Sequence, residues 1–222
     1  MPKLALFDLD HTLLTGDSDV LWCEFLMDRG VLDRAEFQPR NDAMAQRYRE
    51  GSVSAEAFCD FYVSTLAGRS LADWRVVCED FLREVVAPRI PPSARELVEA
   101  HRGLGHRLVM TTATNRVLTE LTARHLRIDT LLATEVEVVG GRCTGRTRGV
   151  LNMREGKVAR LHSWLHEQGV AADALREAVF YSDSINDLPL LQAVGEPIVV
   201  DPDARLRAHA AAVGWPMVEL PR

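Results

Sequence analysis

At 222 residues the chain is longer than one average domain and shorter than two, which predicts one large domain or a domain carrying a smaller insert. Apolar residues at 47% and charged residues at 26% match an ordinary globular protein and exclude collagen-like, disordered and disulfide-stapled classes. The net charge of −6 argues against non-specific partners such as nucleic acid or an anionic membrane, which need a basic surface to displace counterions.

In chain order, Lys3 to Phe7 is a short apolar run that ends in Asp8-Leu9-Asp10 and reads as a buried strand delivering two acidic side chains at its carboxyl end. The period then becomes helical. Trp74, Cys78, Phe81 and Val85 fall on one helical face after a capping-box-like Ser70-x-x-Asp73, and similar signals predict helices near 18–29, 33–50, 54–67 and 70–87, stopped by Pro88. Ser93-x-x-Glu96 predicts the start of a further helix. From there strands near 107–111, 131–133, 178–182 and 197–200 alternate with helices near 115–125, 155–168, 185–194 and 203–211. Such alternation predicts an α/β fold, a parallel sheet covered by helices on both faces. Glu135 to Thr147 departs from it, because two β-rich runs flank Gly140-Gly141 and predict a short β-hairpin. The expected organisation is a core domain of residues 1–15 and 89–222 with a helical domain, 16–88, inserted after the first strand.

No run approaches ~18 apolar residues and the first apolar stretch meets Asp8 too soon for a signal peptide, so a cytoplasmic chain without a membrane partner is expected. The four cysteines, Cys23, Cys59, Cys78 and Cys143, lie far apart with no C-x-x-C pair, which points to core residues rather than zinc ligands or disulfides. Of the 26 basic residues only Lys3 and Lys157 are lysines.

In an open parallel sheet, ligands bind beyond the carboxyl ends of the strands, and polar residues stand at three such ends. Asp8 and Asp10 follow the first strand, Thr111 and Thr112 the second, and Asp183, Asn186 and Asp187 the run Val179 to Ser182. Carboxylates converging in one crevice repel each other unless a cation joins them. Hard oxygen ligands of this kind suit Mg2+, which keeps several waters and shares its shell with a substrate phosphate.

Asp8-Leu9-Asp10-His11-Thr12, Thr112, Lys157 and Asp183-Ser184-Ile185-Asn186-Asp187, in this order, resemble the motifs of the haloacid dehalogenase-like superfamily of phosphohydrolases, in its phosphoserine phosphatase-like branch. The resemblance covers essentially the whole chain. It implies a Rossmann-like core with a four-helix cap after the first strand, and a Mg2+-dependent phosphatase acting on a small phosphorylated metabolite. It implies Asp8 as nucleophile, forming an aspartyl-phosphate, and Asp10 as the acid and base that serves the leaving group and then water. Superfamily dehalogenases lack this second aspartate, so Asp10 favours phosphoryl chemistry. Thr112, with the N–H of Ala113, would hold phosphate oxygens. Asp183 would hold the metal together with Asp8 and the carbonyl of Asp10, while Asn186 and Asp187 would orient substrate and metal shell. Lys157 would neutralise Asp8 and the phosphoryl oxygens as a compact point charge, which a planar guanidinium does less well.

Asp17 lies nine residues beyond Asp8, where phosphoserine phosphatases carry a glutamate that contacts the substrate's amino group; it also suits a plain helix cap. A carboxylate there would favour a cationic, amine-bearing substrate such as phosphoserine, and because Asp is shorter than Glu a somewhat larger amine-bearing phosphomonoester is the alternative. The same motifs would serve a phosphomutase. A signalling receiver module also uses an acceptor aspartate with nearby Thr and Lys, but is roughly half this length and needs no helical insert. His11 is expected to line only the entrance, most of His101, His106, His125, His162, His166 and His209 to lie at the surface without ligand roles, Arg142, Arg146 and Arg148 to form a solvated edge, and Trp22, Phe58, Phe61 and Trp74 to form the insert's own core.

Overall fold

The computed structural model describes residues 2–222. Its centre is a seven-stranded sheet in the order β4-β3-β2-β1-β5-β6-β7, made of β1 (Leu4–Phe7), β2 (Arg107–Asn115), β3 (Thr130–Val139), β4 (Arg142–Arg148), β5 (Val179–Ser182), β6 (Glu196–Val200) and β7 (Met217–Val218). Every pairing is parallel except β3 with β4. The central strand shows why an apolar run with no polar alternation still has two faces. Ala5 and Phe7 enter one hydrophobic cluster and Leu4 and Leu6 another, because successive side chains leave a strand on opposite sides.

Between β1 and β2 the chain forms α1 (Ser18–Asp28), α2 (Arg34–Glu50), α3 (Ala55–Ser64), α4 (Leu71–Phe81) and α5 (Pro92–Gly103). Asp17, Asp33 and Ser54 cap the first three through backbone N–H groups, and at α4 Ser70 and Asp73 close the expected capping box. The predicted helix 70–87 ends early as an α-helix. It widens into a π-helical turn over Leu82–Val86 and closes as a 3-10 turn over Ala87–Arg89, where Pro88 has no N–H to continue the ladder. Ser93 does not cap α5. Pro91 holds the cap position, and the Ser93 hydroxyl donates instead to the carbonyl of Pro221.

After β2 come α6 (Arg116–His125), α7 (Glu155–Glu167), α8 (Leu188–Ala193) and α9 (Ala204–Val213). Three sequence expectations change here. The strand expected at 131–133 and the first arm of the hairpin are one strand, β3, so the hairpin extends the main sheet at its edge. The helix expected at 185–194 begins as a 3-10 turn, Ile185–Asp187. The short edge strand β7 gave no signal, since its two residues are too few to show a period.

Trp22 lies edge-on to Trp74 and Phe81 in the buried interior, and its indole N–H donates to Thr65 Oγ1 at 3.0 Å, so the large aromatics are core as expected. All four cysteines are buried and free. His101 is a correction. It is buried rather than at the surface, with Nε2 2.8 Å from the Tyr181 hydroxyl and Nδ1 2.8 Å from His106 Nδ1. No described helix is long and apolar enough to cross a membrane.

Candidate active site

The carboxyl ends of β1, β2 and β5 meet at one small cavity of about 30 Å3, lined among others by Asp8, Asp10, Asp17, Tyr48, Phe58, Ala113, Thr114, Lys157, Asp183 and Asn186. Asp8 continues β1, and its N–H donates to the Tyr181 carbonyl, which carries the strand pairing one residue further and aims the side chain into the crevice. There the Lys157 ammonium donates to Asp8 Oδ1 and to Asp187 Oδ2, both at 2.7 Å, and Asp187 Oδ2 also accepts the Ser182 hydroxyl at 2.7 Å. All three members of the ion pair are buried. Burial alone would lower the Lys157 ammonium, but Asp187 and Asp8 outweigh it and hold the group above the ordinary lysine range. Asp8 is pushed up to about 8, chiefly by burial, which Lys157 opposes and Asp187 and Asp10 reinforce.

Lys157 is brought to this place by an irregular approach to α7. Asn152 donates through one amide to Thr111 Oγ1, to the Thr112 carbonyl and to the Leu132 carbonyl, fastening the loop to β2 and β3. Arg154 takes φ 53° and ψ −126°, a strained backbone for a residue with a side chain. Gly156 packs so closely that a Cβ would fall on the Leu151 carbonyl oxygen. The Arg154 guanidinium then ties two regions together, donating to Asn186 Oδ1 at 3.2 Å and to the carbonyl of Val53, in the loop before α3, at 3.1 Å.

Asp10 sits two residues on and faces elsewhere. Its Oδ1 accepts the Ser18 N–H at 2.7 Å, and its Oδ2 lies 3.0 Å from Thr114 Oγ1 and 3.3 Å from Thr112 Oγ1. Asp17 caps α1 by accepting the N–H groups of Asp19 and Val20, and burial, with Asp10 beside it, raises its carboxyl to about 7. Thr112 is fully buried with its hydroxyl turned to Asp10, so the threonine that lines the cavity is Thr114, two residues later.

A cation fits the donor set in one place. The Asp183 carboxyl is held well above its usual range by burial and then by Asp8 and Asp187, while only its Oδ1 has a hydroxyl partner, Thr12 at 3.2 Å. Asp8 and Asp183 are thus two carboxyls that burial destabilises as anions at one cavity. Among the described residues no three acidic, histidine or cysteine side chains converge as a complete ion cage. Two carboxylates leave room for the waters and substrate oxygens that Mg2+ requires.

Every residue expected at the site from sequence is therefore near it. Asp8, Asp183, Asp187, Lys157 and Asn186 gather on one side, Asp10, Asp17 and Thr112 on the other, and Ala113 lines the cavity between them. Phe58 is a partial correction, since it belongs to the core yet also lines the cavity. Sequence reasoning missed Tyr48, Thr114, Asp19 and Arg154. Tyr48 lines the cavity, and burial first, then the charges of Asp187, Asp183 and Asp8, raise its hydroxyl well above the usual range. The small cavity adjoins a wider cleft of about 580 Å3 bordered by His11, Asp17, Val20, Leu21, Ala45, Tyr48 and Arg49.

The model of one family, haloacid dehalogenase-like hydrolase, matches residues 5–192. A histidinol-phosphatase of Neisseria meningitidis is 36% identical over 98% of this chain and 99% of its own length. Phosphoserine phosphatase SerB1 of Mycobacterium tuberculosis is 33% identical over 95% of this chain and 68% of its own. Among solved structures, a Bordetella pertussis protein of unknown function is 41% identical with a TM-score of 0.93 over all of both chains. A substrate-bound phosphoserine phosphatase shares the fold at a TM-score of 0.68 and 18% identity, over 94% of this chain and 90% of that one.

Proposed function

Because the chain belongs to the haloacid dehalogenase-like hydrolases and is a phosphoric monoester hydrolase of that family, we propose that it hydrolyses an amine-bearing phosphomonoester through an aspartyl-phosphate on Asp8, with Mg2+ as cofactor. The observation that carries this reading is the division of labour between two aspartates two residues apart. Asp8 is paired with a buried ammonium, and Asp10 is held by N–H and O–H donors on the opposite side.

With Oδ1 engaged by Lys157, Asp8 has Oδ2 free to attack phosphorus. As the P–O bond to the leaving group breaks, Asp10 gives its proton to the departing alkoxide oxygen. In the second half Asp10 takes a proton from water, the water oxygen attacks phosphorus, and the P–O bond to Asp8 breaks to free phosphate and the unmodified carboxylate. The N–H of Ala113, which lines the cavity, holds a phosphoryl oxygen, Lys157 offsets charge on both nucleophile and phosphate, and Asn186 and Asp187 orient the group, while Thr112, buried with its hydroxyl on Asp10, does not take the phosphate role expected from sequence. Bound by Asp8, Asp183 and the Asp10 carbonyl, Mg2+ would supply Lewis-acid stabilisation of charge on the phosphoryl oxygens.

Residues 16–88 serve as a cap domain over a core of residues 1–15 and 89–222. The 30 Å3 cavity has room for a water or two rather than for a phosphate ester, so the cap opens to admit substrate and closes to exclude bulk water. The leaving group then occupies the wider cleft, where Asp17 pairs with its ammonium. That cleft exceeds what a serine side requires, and histidinol phosphate, an amino alcohol ester carrying an imidazole, suits it; the Neisseria relative that matches along its full length is named for this ester. The test is phosphate release from histidinol phosphate, phosphoserine and an aryl phosphate, each with Mg2+ and with excess chelator. Preference for histidinol phosphate with Mg2+ is expected, and turnover that persists in chelator or ignores the amine would overturn the assignment.

A further inference from the structure

The turn that follows Asp10 is held from two sides. His11 has φ 57°, in the left-handed region that a residue with a side chain enters at a cost. Its N–H donates to the Gly16 carbonyl at 3.0 Å. The Leu9 carbonyl accepts the N–H groups of Thr12, Leu13 and Leu14, so the loop closes largely on itself, and the Thr12 hydroxyl donates to Asp183. Among the described residues the His11 carbonyl takes no hydrogen bond from this loop. It is reached from the far end of the sequence, by a guanidinium nitrogen of Arg222 at 2.6 Å.

Residues 217–222 are laid across the core so that this contact can form. Val218 pairs with Val200 of β6, and the Val218 carbonyl accepts the N–H of Asp201, itself at φ 40°. The Asp201 carboxylate then receives the same Arg222 nitrogen at 2.9 Å. On the other side the Ser93 hydroxyl of α5 donates to the Pro221 carbonyl at 2.6 Å. Arg222 and Asp201 are each about 30% exposed, so their ion pair adds little to stability. What the pair supplies is direction, because Asp201 aims the guanidinium at the His11 carbonyl.

We propose that Arg222 is a positioning residue for the hydrolysis: with the His11 N–H fixed on Gly16 and the His11 carbonyl fixed on Arg222, the turn between Asp10 and Thr12 is locked in its left-handed form. The lock matters because a rotation about the backbone of His11 turns the peptide that joins it to Asp10, and so changes the angle at which Asp10 stands to Asp8. The same rotation moves Thr12 against Asp183. The catalytic consequence rests on the reading of Asp8 and Asp10 as the reacting groups, whereas the ordering of the loop by Arg222 is measurable without turnover.

The test compares two variants of the full chain that each remove one tie of the same segment. Arg222→Ala frees the His11 carbonyl, and Ser93→Ala frees the Pro221 carbonyl without touching the loop. Amide hydrogen exchange over residues 9–16 is expected to quicken at least about threefold in Arg222→Ala and to stay at the wild-type rate in Ser93→Ala. With Mg2+ and an aryl phosphate, Arg222→Ala is expected to lower kcat about fivefold with KM within about twofold, as loss of a partly exposed hydrogen bond from a charged donor does, and Ser93→Ala to leave both unchanged. Both bonds leave Arg222 through one nitrogen, so Arg222→Lys, which offers a single ammonium, is expected to recover at least about half of the loss. Exchange that is unchanged in Arg222→Ala, or that quickens equally in Ser93→Ala, would overturn the proposal, as would a loss confined to KM or a kcat that stays at the wild-type value. Absence of aryl phosphate turnover in the wild type would instead count against the roles of Asp8 and Asp10, and the exchange rates would still decide whether Arg222 holds the loop.

Discussion

Two groups of three carboxylates flank the reaction centre, and they are neutralised in different ways. Asp8, Asp183 and Asp187 surround a permanent cation, the Lys157 ammonium, which is within 2.7 Å of two of them. Asp10, Asp17 and Asp19 have no ion-pair partner among the described residues, and Arg49, the cation that lowers Asp17, is exposed at the rim of the cleft. An ionised side chain removed from water without a partner costs several kcal/mol. The first group meets that cost with a fixed charge from the chain. The second has only N–H and O–H donors, and in the proposed reaction the ammonium of the leaving group joins them. In the proposed reaction the permanent compensation serves every catalytic cycle and the open one discriminates between substrates.

The comparison breaks most completely at the reacting groups. Asp8→Asn is expected to lower turnover at least ~10²-fold with the fold intact, since an amide cannot serve as the nucleophile. Asp10→Asn is expected to lose at least ~10²-fold as well, but with a difference in kind, because an aryl phosphate needs no protonation to depart. Mass spectrometry should then show phosphorylated Asp8 accumulating in Asp10→Asn and never in Asp8→Asn. Full activity in either purified, folded variant would remove the assignment of roles.

Removing the fixed cation turns the first group into the second. Lys157→Met leaves Asp8 and Asp187 buried without their partner, and about 3–5 kcal/mol of stability is expected to go with it, read by chemical denaturation without metal. Mg2+ should restore part of this loss. Lys157→Arg retains the charge but not the shape, since a planar fork cannot occupy the place of a point donor held at 2.7 Å to two carboxylates. Its kcat is expected to fall along with affinity, and wild-type kinetics would reduce Lys157 to a structural counterion.

How far the site could be read from sequence follows the same division. Asp8, Asp183 and Asp187 announce themselves because they end apolar strands, and Lys157 because lysine is scarce in an arginine-rich chain. The alternation of strand and helix likewise discloses the sheet, whose period is local. What sequence could not disclose depends on side-chain direction and long-range proximity. Thr112 and Thr114 are equivalent by type, and only the register shift between Thr112 and Asn115 decides which one lines the cavity. Asp19 looks like an acidic first-turn residue favoured by the helix dipole, and nothing local says that its surroundings exclude water. The burial of His101 leaves no local sign in the sequence, because its partner Tyr181 is 80 residues away.

A smaller effect should follow from loosening the tie between the two regions. Arg154→Ala frees Asn186 and the Val53 carbonyl from each other, removing the only described side chain that bonds to both. KM is expected to rise about threefold with kcat less affected, and limited proteolysis near residues 51–54 should quicken, if this contact favours the closed form. Unchanged proteolysis and KM would make Arg154 a local loop residue only.

The finest test of the open compensation is the pH dependence contributed by Asp17. Its carboxyl is raised to about 7 by burial and by Asp10, so it is largely neutral below that pH and a carboxylate above it. If it pairs with the substrate's ammonium, kcat/KM for an amine-bearing ester should improve about tenfold as pH rises through about 7, while the same quantity for an aryl phosphate shows no such step. The sign for folding is opposite. A carboxyl whose folded value lies above its unfolded one contributes stability that is present below about 4 and is lost as pH rises through about 7. Asp17→Asn removes that penalty and keeps an amide oxygen to accept the N–H groups of Asp19 and Val20, so Tm at pH 8 should not fall. Activity on the amine-bearing ester should drop to its low-pH level and lose its step near pH 7, with aryl phosphate turnover retained. Equal losses on both esters, or an unchanged pH profile, would leave Asp17 as the cap of α1 and move the recognition of the amine elsewhere in the cleft.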